Sequence, residues 1–181
     1  MSITNKATRV AYHFTGPKLR DGSPIPAIGQ RLVFPGKPIM CEQGLHFSLH
    51  PFEALQYAPG PFLHRVSYGG IVKLDEDKGV CTERTILASI DATSLLREFA
   101  CNEALRVLPA NAPAIVRRYL ITRDESLREE AWYAAGAAAW YAARAGAWCA
   151  AWGAARGAAW DKKRQKQRDK FLILVENAFK Q

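Results

Sequence analysis

The segment from residue 131 to residue 162, AWYAAGAAAWYAARAGAWCAAWGAARGAAWDK, constrains the chain more than any other, because it is a tandem repeat with a period of four. Alanine fills the first position of every unit, and all five tryptophans share the second position with Gly136, Arg144 and Arg156. Alanine is the strongest helix former and no β-branched residue interrupts the run, so the pattern predicts helix. Four residues advance about 400° around a helix, so the tryptophan column drifts by about 40° per unit, and one straight helix would be about 45 Å long. That exceeds the width of a compact domain of this length. We therefore expect the segment to fold back on itself, with Gly146 as the best break and Gly153 and Gly157 weakening the helix beyond it. Tryptophan at helical spacing usually packs, so the indoles are expected in a core and Arg144 and Arg156 in solvent. The competing reading is that Trp and Arg stack on nucleic-acid bases.

At 181 residues the chain suits one domain or two small ones, with length enough for a real core. No stretch reaches the ~18 uninterrupted apolar residues of a membrane span, and the opening MSITNKATRV lacks the apolar run of a signal peptide. Cys41, Cys81, Cys101 and Cys149 are scattered without a CxxC pair. These features lead us to expect a cytoplasmic protein in a reducing compartment, without a disulfide framework and without membrane contact.

The net charge of +8 is unevenly placed: residues 162–170, KKRQKQRDK, hold six basic residues and one Asp, which is +5 of that total. Lys162, Lys163, Arg164, Lys166, Arg168 and Lys170, together with Arg144 and Arg156, form a candidate binding surface. Such a run is a solvated helix face, a contact for RNA or DNA phosphates, or a docking site for an acidic protein surface. It lacks interleaved aromatics, which counts against base stacking.

Along the chain, residues 8–15 (TRVAYHFT) alternate and predict a first strand. Residues 21–44 are punctuated by Gly and Pro and read mostly as loop. GLHFS reads as a short strand, and HPFEALQYA as a helix with Ser48 as its cap and Pro51 in its first turn. Residues 61–74 suggest a strand, a bend at Gly69-Gly70 and a second strand; DEDKG is a turn, and VCTERTILASID supplies a last strand. From Asp91 the pattern becomes helical, with breaks at Pro109 and Pro113 and a short helix over 114–121. Thr122 with Glu125 makes a capping-box pattern before the repeat. Phe171, Leu174, Val175, Ala178 and Phe179 give the final helix one buried face. The expected architecture is therefore α+β: a small α+β domain over 1–90, then an Ala-rich helical domain over 91–181 with a basic C-terminal helix.

LREFACNEALRVLP, from Leu96 onward, with the repeat that follows it, resembles the Ala-rich helical domains assigned to immunity proteins. The first ninety residues, with YHFT, GLHFS, ALQYAPG and ERTI, look like a domain of unknown function found in phage and prophage proteins. Neither family has an activity to transfer. The resemblance implies a phage or mobile-element origin, and hence a protein that binds host machinery, with inhibition of a defence system in the manner of an anti-CRISPR as the leading specific form.

A third resemblance concerns chemistry. GLHFSLHPFEALQYA is similar to the second motif of ADP-ribosyltransferases, and YHFT resembles their first. The resemblance implies that His13 and Thr15 hold the ribose of NAD, that Ser48 closes the second motif, that Tyr57 stacks on the nicotinamide and that Glu83 is the catalytic carboxylate. Such a site needs a polar clamp, an aromatic platform and one acid. Cys41, His46 and His50 have metal-ligating side chains, but zinc needs four ligands and no second pair is evident, so no metal is expected. The leading expectation is a non-enzymatic phage accessory protein that binds a host protein or ribonucleoprotein complex without a cofactor. An NAD-using ADP-ribosyltransferase-like enzyme is the runner-up, and a nucleic-acid-binding helical module the third reading.

Overall fold

A computed structural model describes residues 9–145 and 157–180, with side chains described for 9–136 and 163–180. The architecture is α+β, with an antiparallel five-stranded sheet first and helices after it. The strands are β1 (Val10–Thr15), β2 (Arg31–Val33), β3 (Leu45–Phe47), β4 (Phe62–Leu74) and β5 (Gly79–Asp91). A short helix α1 (Pro51–Ala54), followed by a 3-10 turn at Leu55–Tyr57, joins β3 to β4. The helices after the sheet are α2 (Thr93–Val107), α3 (Ala114–Thr122), α4 (Arg128–Ala145) and α5 (Gly157–Ala178).

The sheet is built on the β4–β5 hairpin, closed by the turn in which the Asp75 amide donates to the Lys78 carbonyl at 2.8 Å. β1 lies on the free edge of β4, while β2 and β3 share the free edge of β5, so the order is β1-β4-β5-β2 with β3 also on β5. Immediately after β3, Ser48 exchanges two backbone hydrogen bonds with Tyr12 at 2.8 and 2.9 Å. That bridge returns the path β1-β4-β5-β3 to β1, so the sheet curls on itself. Two irregularities in β4, at Arg65/Val66 and Gly69/Val72, supply the bending such a curl requires. Gly69-Gly70, expected to end one strand and begin another, is instead a bulge inside a single 13-residue strand. Gly70 takes a φ of +68° there, and a Cβ built on it would sit 2.0 Å from the Thr82 hydroxyl.

Alternation along β1 sends Ala11, His13 and Thr15 to one face and Tyr12 and Phe14 to the other. Ala11 joins Phe47, Val66, Cys81 and Ile86 in the inner core, where Phe47 stacks on Tyr68 with ring centres 4.1 Å apart. On the other face, the Tyr12 hydroxyl donates to Glu176 Oε1 at 2.6 Å, and Arg65 Nη2 meets Glu176 Oε2 at 2.5 Å. The Arg65 guanidinium also sits 4.7 Å from the centre of the Phe179 ring, and Phe171 meets Phe52 edge-on at 6.1 Å. Phe171 and Val175 are fully buried, so the apolar stripe of the last helix finds its cover on the sheet.

The chain accordingly divides into two compact units: the residues through Thr93 with those from Lys170 on, and Ser94–Asp169. A division near residue 91 would place all of α5 with the helices. Its last turns group with the sheet because Phe171 and Val175 are buried there and Glu176 is held by Tyr12 and Arg65. Within the helical unit, Arg97 pairs with Glu125 at 3.2 Å and Gln167 donates to Glu103 at 3.1 Å, tying α2 to the turn before α4 and to α5.

Several local expectations are corrected. The cap of α1 is His50, whose Nδ1 accepts from the Phe52 amide at 3.1 Å, because the helix begins at Pro51 and its cap position falls two residues after Ser48. Asp124, rather than Thr122, caps the turn leading into α4, accepting from the Ser126 amide and hydroxyl at 2.9 and 2.7 Å, while the Thr122 hydroxyl donates back to the Arg118 carbonyl. The stretch read as loop contains β2. Trp132, expected in a core, is 71% exposed on α4, where Ala131 is the buried neighbour. Gly146, the expected break of the repeat, lies outside the described residues, as do the side chains of Trp140, Trp148, Trp152 and Trp160.

Candidate functional site

The inner face of the sheet carries a polar cluster at one end of its apolar core. His13 on β1 is register-paired with His64 on β4, and two residues along β1 the Thr15 hydroxyl lies 2.8 Å from His64 Nε2. His64 is 0% exposed, and Thr15 is buried beside it. Arg84 of β5 is only 5% exposed, and its Nη1 donates to the main-chain carbonyl of His46 on β3. Two buried atoms here, His64 Nδ1 and Arg84 Nε, have no hydrogen-bond partner among the described residues.

Burial is expected to hold imidazoles neutral, since it disfavours the charged form, and a nearby cation adds to this. His64 is pushed down to about 4, by burial first and then by Arg84. His13 is lowered well below its ordinary value by burial, with Arg84, His64 and His46 adding in the same direction. His46 is lowered chiefly by burial, against a hydrogen bond to the Gly44 backbone that raises it, with Arg84 adding to the lowering. Burial also brings Arg84 down to about 10, which leaves it charged at neutral pH. At pH 7 the cluster is thus one buried cation among neutral imidazoles, and no carboxylate of the described residues hydrogen-bonds or ion-pairs with Arg84.

Of the residues the ribosyltransferase resemblance assigned, the fold brings His13 and Thr15 into this cluster and leaves the rest elsewhere. Ser48 is buried at the β1–β3 bridge. Tyr57 is 47% exposed over the β4–β5 turn, its hydroxyl 2.5 Å from Asp77 Oδ2 and the Lys78 ammonium 5.0 Å from its ring centre. Glu83 pairs with Arg31 at 2.5 Å and lies opposite Gly69. Gly69 is five residues along β4 from His64, the partner of His13, which is about 16 Å at the rise of a strand. The clamp, platform and acid that such an enzyme needs in one cleft therefore stand at separate places on the sheet.

In the helical unit, Lys163, Arg164 and Lys166 are exposed on α5, and Arg168 is half-buried with its Nη1 3.3 Å from Gln165 Oε1. Lys170 is half-buried and belongs to the sheet unit. The side chains of Arg144, Arg156 and Lys162 lie outside the described residues. On α4, Trp132 and Tyr133 (63% exposed) meet edge to face at 5.2 Å, presenting an aromatic pair to solvent.

His64 and Arg84 are the members of the buried cluster to which sequence reasoning gave no role. Their only signal is parity: His64 shares its strand face with Val66, and Arg84 lies two residues from buried Ile86. Among the described residues, no group of three or more His, Cys, Asp or Glu is placed to hold a metal ion. No described helix is long and apolar enough to cross a membrane.

Residues 10–98 match the family model described as Domain of unknown function (DUF7666). The match takes in all five strands and the start of α2, and with them every member of the buried cluster. No curated protein and no solved structure matches the chain.

Proposed function

We propose that the protein works by docking on a host protein complex with an acidic surface, as a phage-type accessory factor directed at host defence machinery. The observation that carries this reading is the exposed basic turn of α5, in which Lys163, Arg164 and Lys166 stand within four residues. A cluster of one sign steers encounter with an oppositely charged surface and sets the salt sensitivity of association. The exposed Trp132–Tyr133 pair supports it, because Trp and Tyr are the residue types that most often dominate binding energy at protein interfaces. The defence-directed form rests on the phage-type resemblance of YHFT, GLHFS, ALQYAPG and ERTI.

The test is capture from host lysate at moderate salt by a tagged copy of the chain, compared with a variant carrying Lys163→Gln, Arg164→Gln and Lys166→Gln. A discrete complex should be retained by the first and weakened in the second, and nuclease treatment should leave it in place. Loss of the partner on nuclease treatment would replace the acidic protein surface with RNA or DNA, whose binding falls steeply with salt. No enriched partner at low salt, or equal retention by the triple variant, would refute the proposal.

A further inference from the structure

A buried guanidinium without a counter-ion is costly, and natural folds retain one where an anion completes it. Arg84 is such a group: it is 5% exposed, one nitrogen is committed to the His46 carbonyl, and its Nε–H is without a partner among the described residues. His64 repeats the pattern on the neighbouring strand, fully buried, with Nε2 held by Thr15 and Nδ1 unpaired. His13, on a third strand, is half-buried and is the least buried of the three. We propose that Arg84, His64 and His13 form an internal receptor for a phosphoryl group, carried by inorganic phosphate or by a small phosphomonoester.

The donor set favours phosphate over a carboxylate. Three candidate donors come from β1, β4 and β5, whereas a planar carboxylate is best met by two donors in its own plane. A tetrahedral oxyanion accepts from several directions. The Thr15 hydroxyl has a defined part in this scheme as a positioning group. When it donates to His64 Nε2, the imidazole proton is fixed on Nδ1, which turns the unpaired atom into a donor. The anion is then held by the Arg84 Nε–H, the His64 Nδ1–H and a ring N–H of His13, the least buried of the three.

Binding is measured by calorimetry with inorganic phosphate and, separately, methyl phosphate, against chloride at equal ionic strength. The wild-type chain should bind one equivalent saturably, and the better of the two ligands tells free phosphate from a monoester. In the ¹⁵N spectrum, the Arg84 Nε–H and His64 Nδ1–H signals should move along the same saturation curve, with His64 in the Nδ1–H form. Arg84→Met should abolish binding while keeping or raising the melting temperature, since it removes an uncompensated buried charge. Thr15→Val should let the His64 proton shift to Nε2 in the same spectrum and weaken binding by about tenfold, because the anion then loses the His64 Nδ1–H, one hydrogen bond to an ion. The Lys163→Gln, Arg164→Gln, Lys166→Gln variant should bind phosphate as the wild type does, which separates this site from the basic turn of α5. No saturable binding of either ligand would overturn the proposal, as would binding that survives Arg84→Met. If Arg84→Met does not fold, the wild-type spectrum decides: Arg84 and His64 signals that stay fixed at saturating phosphate mean that a bound water alone fills the site.

Discussion

Acid should loosen the sheet unit well before its carboxylates titrate, and His64 should be the main reason. Its folded-state pKa of about 4 lies below the ordinary 6.5, so the unfolded chain takes up a proton there that the folded chain refuses. A group depressed in this way contributes fully above pH 6.5, and the contribution drains away as the pH falls toward 4. Each tenfold step in proton affinity is worth about 1.4 kcal/mol, so the whole span amounts to about 3 kcal/mol. His13, lowered by the same burial, adds in the same direction. That is a large fraction of the 5–15 kcal/mol typical of a folded domain. Fluorescence is the wrong probe, because all five tryptophans lie between residues 132 and 160, within the helical unit. Hydrogen exchange of the β4 amides from Leu63 to Tyr68, followed between pH 7.5 and 4.5 with intrinsic rates corrected, reports the sheet directly. Protection should fall through this window in the wild type, and the fall should shrink by about 3 kcal/mol in His64→Gln, which keeps a polar group near Thr15 but cannot charge. A His64 signal that titrates at pH 6 or above, or an acid limb unchanged by His64→Gln, would refute the reasoning.

Gly70→Ala should cost about 2–4 kcal/mol, from a positive φ combined with a Cβ driven onto the Thr82 hydroxyl that accepts from the Ile71 amide; a melting temperature within a degree of wild type would contradict this. Trp132→Ala should change stability by no more than about 0.5 kcal/mol, as expected of an exposed side chain, and yet weaken partner capture. In the same thermal melts, Phe171→Ala should cost about 3–5 kcal/mol, because that ring is fully buried.

Periodicity made most of the elements legible. VAYHFT alternates cleanly, the apolar stripe from Phe171 to Phe179 keeps helical spacing, and Pro109 and Pro113 separate α2 from α3. What escaped was decided by register. Gly69-Gly70 has the composition of a bend, and only pairing with β5 turns it into a bulge. Ser48 is a good cap by type, yet its pairing with Tyr12 keeps the chain extended there, the helix starts only at Pro51, and the cap falls to His50. Arg84 follows Glu83 in ERTI, and a lone arginine in a strand ordinarily reaches solvent. Its burial depends on β3 arriving over it from almost forty residues earlier in the chain, which no local pattern encodes. The candidate site was therefore half visible: His13 and Thr15 drew notice through a motif, while His64 and Arg84 join them only once β4 and β5 are zipped.

The clasp between Tyr12 and Glu176 spans 164 residues of sequence. A ribosome delivers β1 long before the turns of α5 that cover its outer face, and the whole of Ser94–Asp169 is made in between. During that interval the sheet can zip from the β4–β5 hairpin, but Tyr12, Phe52 and Arg65 wait without Glu176, Phe171 and Phe179. The nascent sheet unit is thus an adhesive intermediate for the time it takes to translate Ser94–Asp169, about 4–15 s at about 5–20 residues per second. A chain stalled at Asp169 would keep that exposed face indefinitely. Coexpression of residues 1–169 with a peptide covering 170–180 is therefore a split-protein complementation pair supplied by the topology itself.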